Sequence, residues 1–224
     1  MRSERNPNQI IRKDARNCFV ESLSDAFGNG RAHFVFATYD LNKPVGQRQT
    51  NKIHIYISIS ELLELCRKLS CGELRYLLQQ KKQNGDSKPI QEWLGGTSAE
   101  KLRQYGKARP DGKSLSRVCK LMAAQKTDFL FTASSGPGEK DSKGLIVPRF
   151  GSKPENHVAI TLNYEVLSEL LLMTRTHYES WLTAWYLSQT HSGQQQNRRP
   201  PESNYAAAYQ HPADSQKYSG MSLF

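Results

Sequence analysis

The chain has no apolar run near the ~20 residues that a membrane span needs, and its start, Met1-Arg-Ser-Glu-Arg-Asn-Pro-Asn-Gln9, leads into no apolar core of a signal peptide. Both absences point to a cytoplasmic protein. Cysteine is scarce, and none of the four (Cys18, Cys66, Cys71, Cys119) forms a CxxC pair, which argues against a zinc knuckle and for free thiols in a reducing compartment. Familiar catalytic signatures are missing as well. No GxSxG elbow, HExxH helix or HxH cluster occurs and the six histidines are dispersed, so hydrolase, metalloprotease and histidine-metal relaxase chemistries lack their groups. Gly106 and Gly112, the latter followed by Lys113 and Ser114, stand one residue too far apart for a P-loop, and no apolar strand precedes them. No catalysis, cofactor or metal is therefore expected. The one enzymatic alternative is a metal-dependent nuclease, with Asp111 and Asp141 on the cation and Lys143 at the attacking water.

What the chain does have is charge of one sign in one place. Of 224 residues, 37% are hydrophobic and 9% aromatic, enough apolar material for one sizeable core or two small ones. Residues 67–153 hold 18 Lys and Arg against 8 Asp and Glu, while the remainder has 13 of each. A polyanion is met by cations gathered on one surface, so nucleic acid is the leading partner.

Periodicity orders the elements. Arg31 to Tyr39 is aromatic and β-branched, and Lys52 to Ile59 alternates strictly, with Ile53, Ile55, Ile57 and Ile59 on one face; both read as strands. Ser58 and Glu61 have the spacing of a capping box, which starts a helix whose apolar face is Leu62, Leu65, Cys66 and Leu69, interrupted at Gly72 and resumed by Leu74, Leu77 and Leu78. Strands are expected again at 117–122, 128–134, 144–150 and 157–162, followed by a long amphipathic helix that Asn163 caps and that ends near Ser188. The expected fold is thus α+β: antiparallel sheets each packed by a helix, in two β-β-(β-β)-α repeats at about 31–82 and 115–188. A basic connector, 83–114, joins them. Residues 1–30 read as an N-terminal extension and 189–224, with almost no aliphatic residue before Met221, as a disordered tail. The tail's apolar tip, Gly220 to Phe224, reads first as a plain terminus and second as a docking point for a protein partner.

A sheet covered by helices on one side leaves its other face to a ligand. On that face the sequence places His54 and Tyr56, with His33, Tyr39 and Phe129 or Phe131 beside them, and the cations Arg117, Lys120 and Arg149; Lys153 extends the basic set. Aromatics among cations suit unstacked bases and their phosphates. The connector adds Lys101, Arg103, Lys107, Arg109 and Lys113 around Tyr105, read as an arm that orders on nucleic acid. A hairpin loop from Ser135 to Gly144, turned by Gly136, Pro137 and Gly138, carries Lys140 and Lys143, and reads either as a phosphate grip of backbone amides and ammonium groups or as a solvated hairpin tip.

An alternating strand that caps directly into an amphipathic helix, given twice between Arg31 and Tyr186, resembles the Whirly and coactivator-type superfamily of single-stranded DNA-binding proteins. The resemblance lies in the order of elements; the lysine-glycine-lysine signature of plant Whirly proteins is absent, so no binding residue is carried over. Ser135 to Glu155 is similar to a segment of uncharacterised proteins of bacterial conjugative and integrative elements, which implies service to transferred single-stranded DNA. Together these readings give a non-catalytic protein that binds single-stranded DNA, with RNA as the other strand it would take and self-association of open sheet edges as a further expectation. The alternative is a duplex-binding regulator or relaxosome accessory. Lys52 to Leu78 has the strand-helix-turn-helix order of a ribbon-helix-helix module, but most of the chain lies outside it.

Overall fold

The computed structural model describes residues 6–44 and 46–196. Strands β1 (Gln9–Asp14), β2 (Cys18–Leu23), β3 (Arg31–Tyr39) and β4 (Gln49–Ser58) form an antiparallel meander, followed by helices α1 (Ile59–Ser70) and α2 (Glu73–Gln83). The second sheet begins with β5 (Gln91–Thr97), passes through α3 (Ala99–Gln104), and continues with β6 (Ser114–Ala123), β7 (Phe129–Lys140), β8 (Ile146–Pro148) and β9 (Asn156–Leu162). Helix α4 (Tyr164–Gln196) comes last. The order in space is β5-β6-β7, after which β7 is shared: residues 129–135 pair with β9 and residues 138–140 with β8. This is an α+β fold with a helix after each sheet. Among the described residues no helix is long and apolar enough to cross a membrane.

Local chemistry explains the clearest elements. Ile53, Ile55 and Ile57 alternate along β4 and are all buried. At the strand's end the Glu61 amide donates to the Ser58 hydroxyl at 3.3 Å, and the Ser58 amide donates to the Glu61 carboxylate at 3.1 Å, so the capping box forms as its spacing predicts. Gly72, at φ 81°, turns α1 into α2 through a conformation that costs a side-chain-bearing residue energy.

Within residues 1–182 the two sheets share one core. Phe131 of β7 stands at its centre, with ring centroids 4.8 Å from Phe36, 6.4 Å from Phe34 and 6.3 Å from Trp93. Leu62 and Leu65 of α1 and Leu167, Leu170 and Leu171 of α4 close it. Polar bonds fix the helices: the Cys66 thiol donates to the Leu171 carbonyl and the Thr174 hydroxyl to Ser22. All four cysteines are free, and burial raises the Cys66 thiol to about 11. The second unit, residues 183–224, is described only as the last turns of α4, where Trp185 and Tyr186 pack edge to face.

Several sequence expectations are corrected. Residues 9–23, expected in an N-terminal extension, supply β1 and β2, and Cys18, Phe19 and Val20 are buried; two six-residue strands are too short to show a clear period. The connector 83–114 is not a flexible arm, because Trp93 and Leu102 enter the interior and the Ser98 hydroxyl caps α3. Ser135 to Lys140 is strand, not loop. Gly136 and Gly138 are there for closeness: a Cβ would stand 2.7 Å from Phe150 at the first and 2.8 Å from Ile146 at the second. Helix α4 continues past Ser188 to Gln196. The tail from 197 onward, with its tip, lies outside the described residues.

Candidate nucleic-acid interface

Strands β4 and β5 each end a sheet, with no further neighbour among the described residues. Between them lies a cleft of about 700 Å³, lined as well by α3 with the residues just after it and by the turn that joins β7 to β8. Ile55 and Tyr56 come from β4, and Trp93, Gly95, Gly96 and Thr97 from β5. Lys101 and Leu102 come from α3, Tyr105 and Lys107 from the turn after that helix, Arg117 from β6, Gly144 and Leu145 from the β7–β8 turn, Ile146 from the start of β8, Asn29 from the short turn before β3 and Arg31 from the start of β3. Four cations and three aromatics line the cleft, and no carboxylate does. Tyr105 is 67% exposed and Tyr56 44% exposed, so both rings have free faces.

The wall exists because small residues let β8 lie over the second sheet. Gly96, Ser116 and Gly136 stand opposite one another across β5, β6 and β7, and a Cβ on Gly96 would come within 2.7 Å of Ile146. The Ser116 hydroxyl is buried and has no hydrogen-bond partner among the described residues.

Ion pairing sorts the predicted cations. Arg109 donates to both Asp111 and Glu155 at 2.7–3.0 Å, a doubled clamp that leaves it little charge to offer. Lys120 pairs with Glu92 at 3.1 Å, Arg149 with Glu139 at 2.8 Å, and Arg103 loosely with Glu100 at 4.0 Å. Lys113, Lys140, Lys143 and Lys153 are exposed but line no part of the cleft. By contrast Arg31, Lys101, Lys107 and Arg117 form no ion pair among the described residues. The structure therefore gathers Tyr56, Lys101, Tyr105, Lys107 and Arg117 of the predicted set and leaves the other nine outside.

The phosphate grip expected of the β7–β8 turn is not available. Asp141 accepts from the amides of Lys143 and Leu145 at 2.9 and 2.8 Å, so the turn's own carboxylate occupies its donors. Asp141 and the Arg109-bound Asp111 thus both have structural partners. Phe129 and Phe131 are core residues, 0% and 1% exposed, and not on an open face. Residues 52–78 do run strand, helix, turn, helix, with β4 paired to β3 inside a four-stranded sheet.

His54 belongs to a different arrangement. Asp25, an acceptor, takes the His33 Nδ1–H at 2.7 Å, which leaves His33 Nε2 to accept from His54 Nδ1 at 2.9 Å. Tyr56 stacks on the His33 ring at 4.3 Å. Burial, then the charges of His33, Lys52 and Arg117, lowers His54 to about 4, and burial lowers His33 against the pull of Asp25. Unfolded, His54 takes its proton near 6.5; folded, it resists until about 4. Between those values the unfolded state binds more protons, so stability falls as pH drops through this window. Urea unfolding at pH 7 and pH 5 is expected to show a loss on the order of 1–2 kcal/mol after solvent screening. His54→Gln should flatten that difference; an unchanged pH slope would exclude His54 as its source.

Arg31, Trp93, Thr97 and Asn29 escaped the sequence reading. Arg31 was visible as a strand's first residue, and Trp93 as an aromatic in an otherwise polar stretch. No known protein family, curated protein or solved structure matches the chain.

Proposed function

We propose that the protein binds single-stranded nucleic acid, DNA foremost, without catalysis, and that the cleft between β4 and β5 is where the strand lies. One observation carries the reading: four cations without ion pairs among the described residues and three aromatics line a single cleft that has no carboxylate. Phosphates need the first and unstacked bases the second. Shape supports a single strand as well. A duplex groove receives a protruding helix or ribbon, whereas a recess receives unstacked nucleotides.

Competition between an oligothymidylate 20-mer, a duplex and an RNA of equal length, at two salt concentrations, tests this. The single strands are expected to win. Four phosphate contacts give a slope of log affinity on log salt of about −3, from about 0.7 per contact on a single strand. Equal or tighter binding of one duplex sequence would overturn the reading in favour of a duplex regulator.

A further inference from the structure

Arg117 sits where an arginine has no structural reason to be. It is partly buried on β6, on the face that carries Cys119 and Leu121 into the core, and burial pushes its pKa down. Its one hydrogen-bond acceptor is the Thr97 hydroxyl at 3.0 Å, and no carboxylate pairs with it among the described residues. A guanidinium carries five N–H donors in a fork that fits two oxygens at once, so most of that capacity is unused. Burying such a group without an anion is costly.

The space beside it is open. Gly95 stands opposite Arg117 in the ladder, on the same face of the sheet, and a Cβ added there would meet nothing within 4 Å. One pair further along on that face is Trp93, only 5% exposed, whose indole nitrogen is buried and has no acceptor among the described residues. Diagonal neighbours on one face lie about 7–8 Å apart, within reach of long side chains. Both residues line the cleft. An unmet guanidinium thus stands beside Trp93 and an open Gly95 in the lining of a cleft that holds no carboxylate.

We infer that this floor is an anion pocket for one phosphate, deep enough to hold a nucleoside monophosphate on its own. Arg117 is the bidentate donor, and Tyr56 and Tyr105 offer the attached base their exposed faces. This rests on the strand-binding reading in one respect: in a bound strand, the pocket holds the anchoring nucleotide while Arg31, Lys101 and Lys107 follow the backbone outside. The pocket therefore discriminates phosphate from its absence, not one base from another.

Calorimetric titration of the full chain with dTMP, thymidine and inorganic phosphate at low salt decides it. dTMP is expected to bind, thymidine at least tenfold more weakly, and phosphate to compete with dTMP. Arg117→Met should lower dTMP affinity at least tenfold while the thermal midpoint stays level or rises, since it removes an unpaired buried charge; Arg117→Lys should recover part of the affinity. Thymidine binding as well as dTMP, or dTMP affinity unchanged in Arg117→Met, would overturn the pocket. If wild type binds the oligothymidylate 20-mer but not dTMP, the pocket falls and strand binding stands. If dTMP binds through Arg117 and no strand binds, strand binding falls with the anchoring role, and the phosphate pocket stands.

Discussion

Lys101→Glu combined with Lys107→Glu is expected to lower affinity for an oligothymidylate 20-mer about a hundredfold or more at 0.1 M salt, and to flatten the salt slope by more than one. Both lysines line the cleft and neither has an ion-pair partner among the described residues, so their charge is available to phosphates. Reversal removes two attractions and adds two repulsions. The informative control is Lys120→Ala with Arg149→Ala, which removes two cations from the same basic block. Those charges are already engaged by Glu92 and Glu139, so affinity should change by less than about threefold in a screened, exposed setting. If both double variants lose affinity alike, binding follows total charge and not the cleft.

Phe131→Ala is expected to cost about 3–5 kcal/mol, the range for emptying a buried phenylalanine site. Phe131 is 1% exposed and meets Phe34 and Phe36 of the first sheet and Trp93 of its own. The cavity would open between the sheets, where rigid ladders on both sides prevent collapse. In a chain of this size the midpoint should drop by about 10 °C or more. Differential scanning calorimetry reads it directly, and a shift of only a degree or two would mean that the two sheets do not depend on a common core. Because Trp93 both packs on Phe131 and lines the cleft, the variant should also weaken binding of the strand.

The elements visible in the sequence were those in which one signal sufficed. Strict alternation marks β4, and the Ser58 and Glu61 pair marks where it becomes α1. What stayed hidden needed the third dimension. Gly136 and Gly138 read as a turn because glycine usually is one, yet here they are strand residues made small by Ile146 and Phe150 lying on them. Gly95 and Gly96 likewise hid β5, though only Gly96 has Ile146 lying on it and Gly95 faces open space. The site divides likewise. The charge block contains Lys101, Lys107 and Arg117 together with Arg109 and Lys120, and nothing local separates them, because their partners are distant: Glu155 for Arg109 and Glu92 for Lys120. Trp93 and Arg31 reach the cleft only through the approach of two sheets, which no single segment encodes.

The borders of the cleft carry a further consequence. Among the described residues, strands β4 and β5 each present one row of backbone amides and carbonyls to no neighbouring strand, and such rows are templates onto which a second molecule's strand can add, with aggregation as the result. Arg31, Lys101, Lys107 and Arg117 stand beside both rows. To another copy of this chain, which bears a net charge of +10, those cations are repulsive; to a polyanion they are the opposite. The same four charges that would hold a ligand thus act as a gatekeeper for the open edges, admitting partners by the sign of their charge.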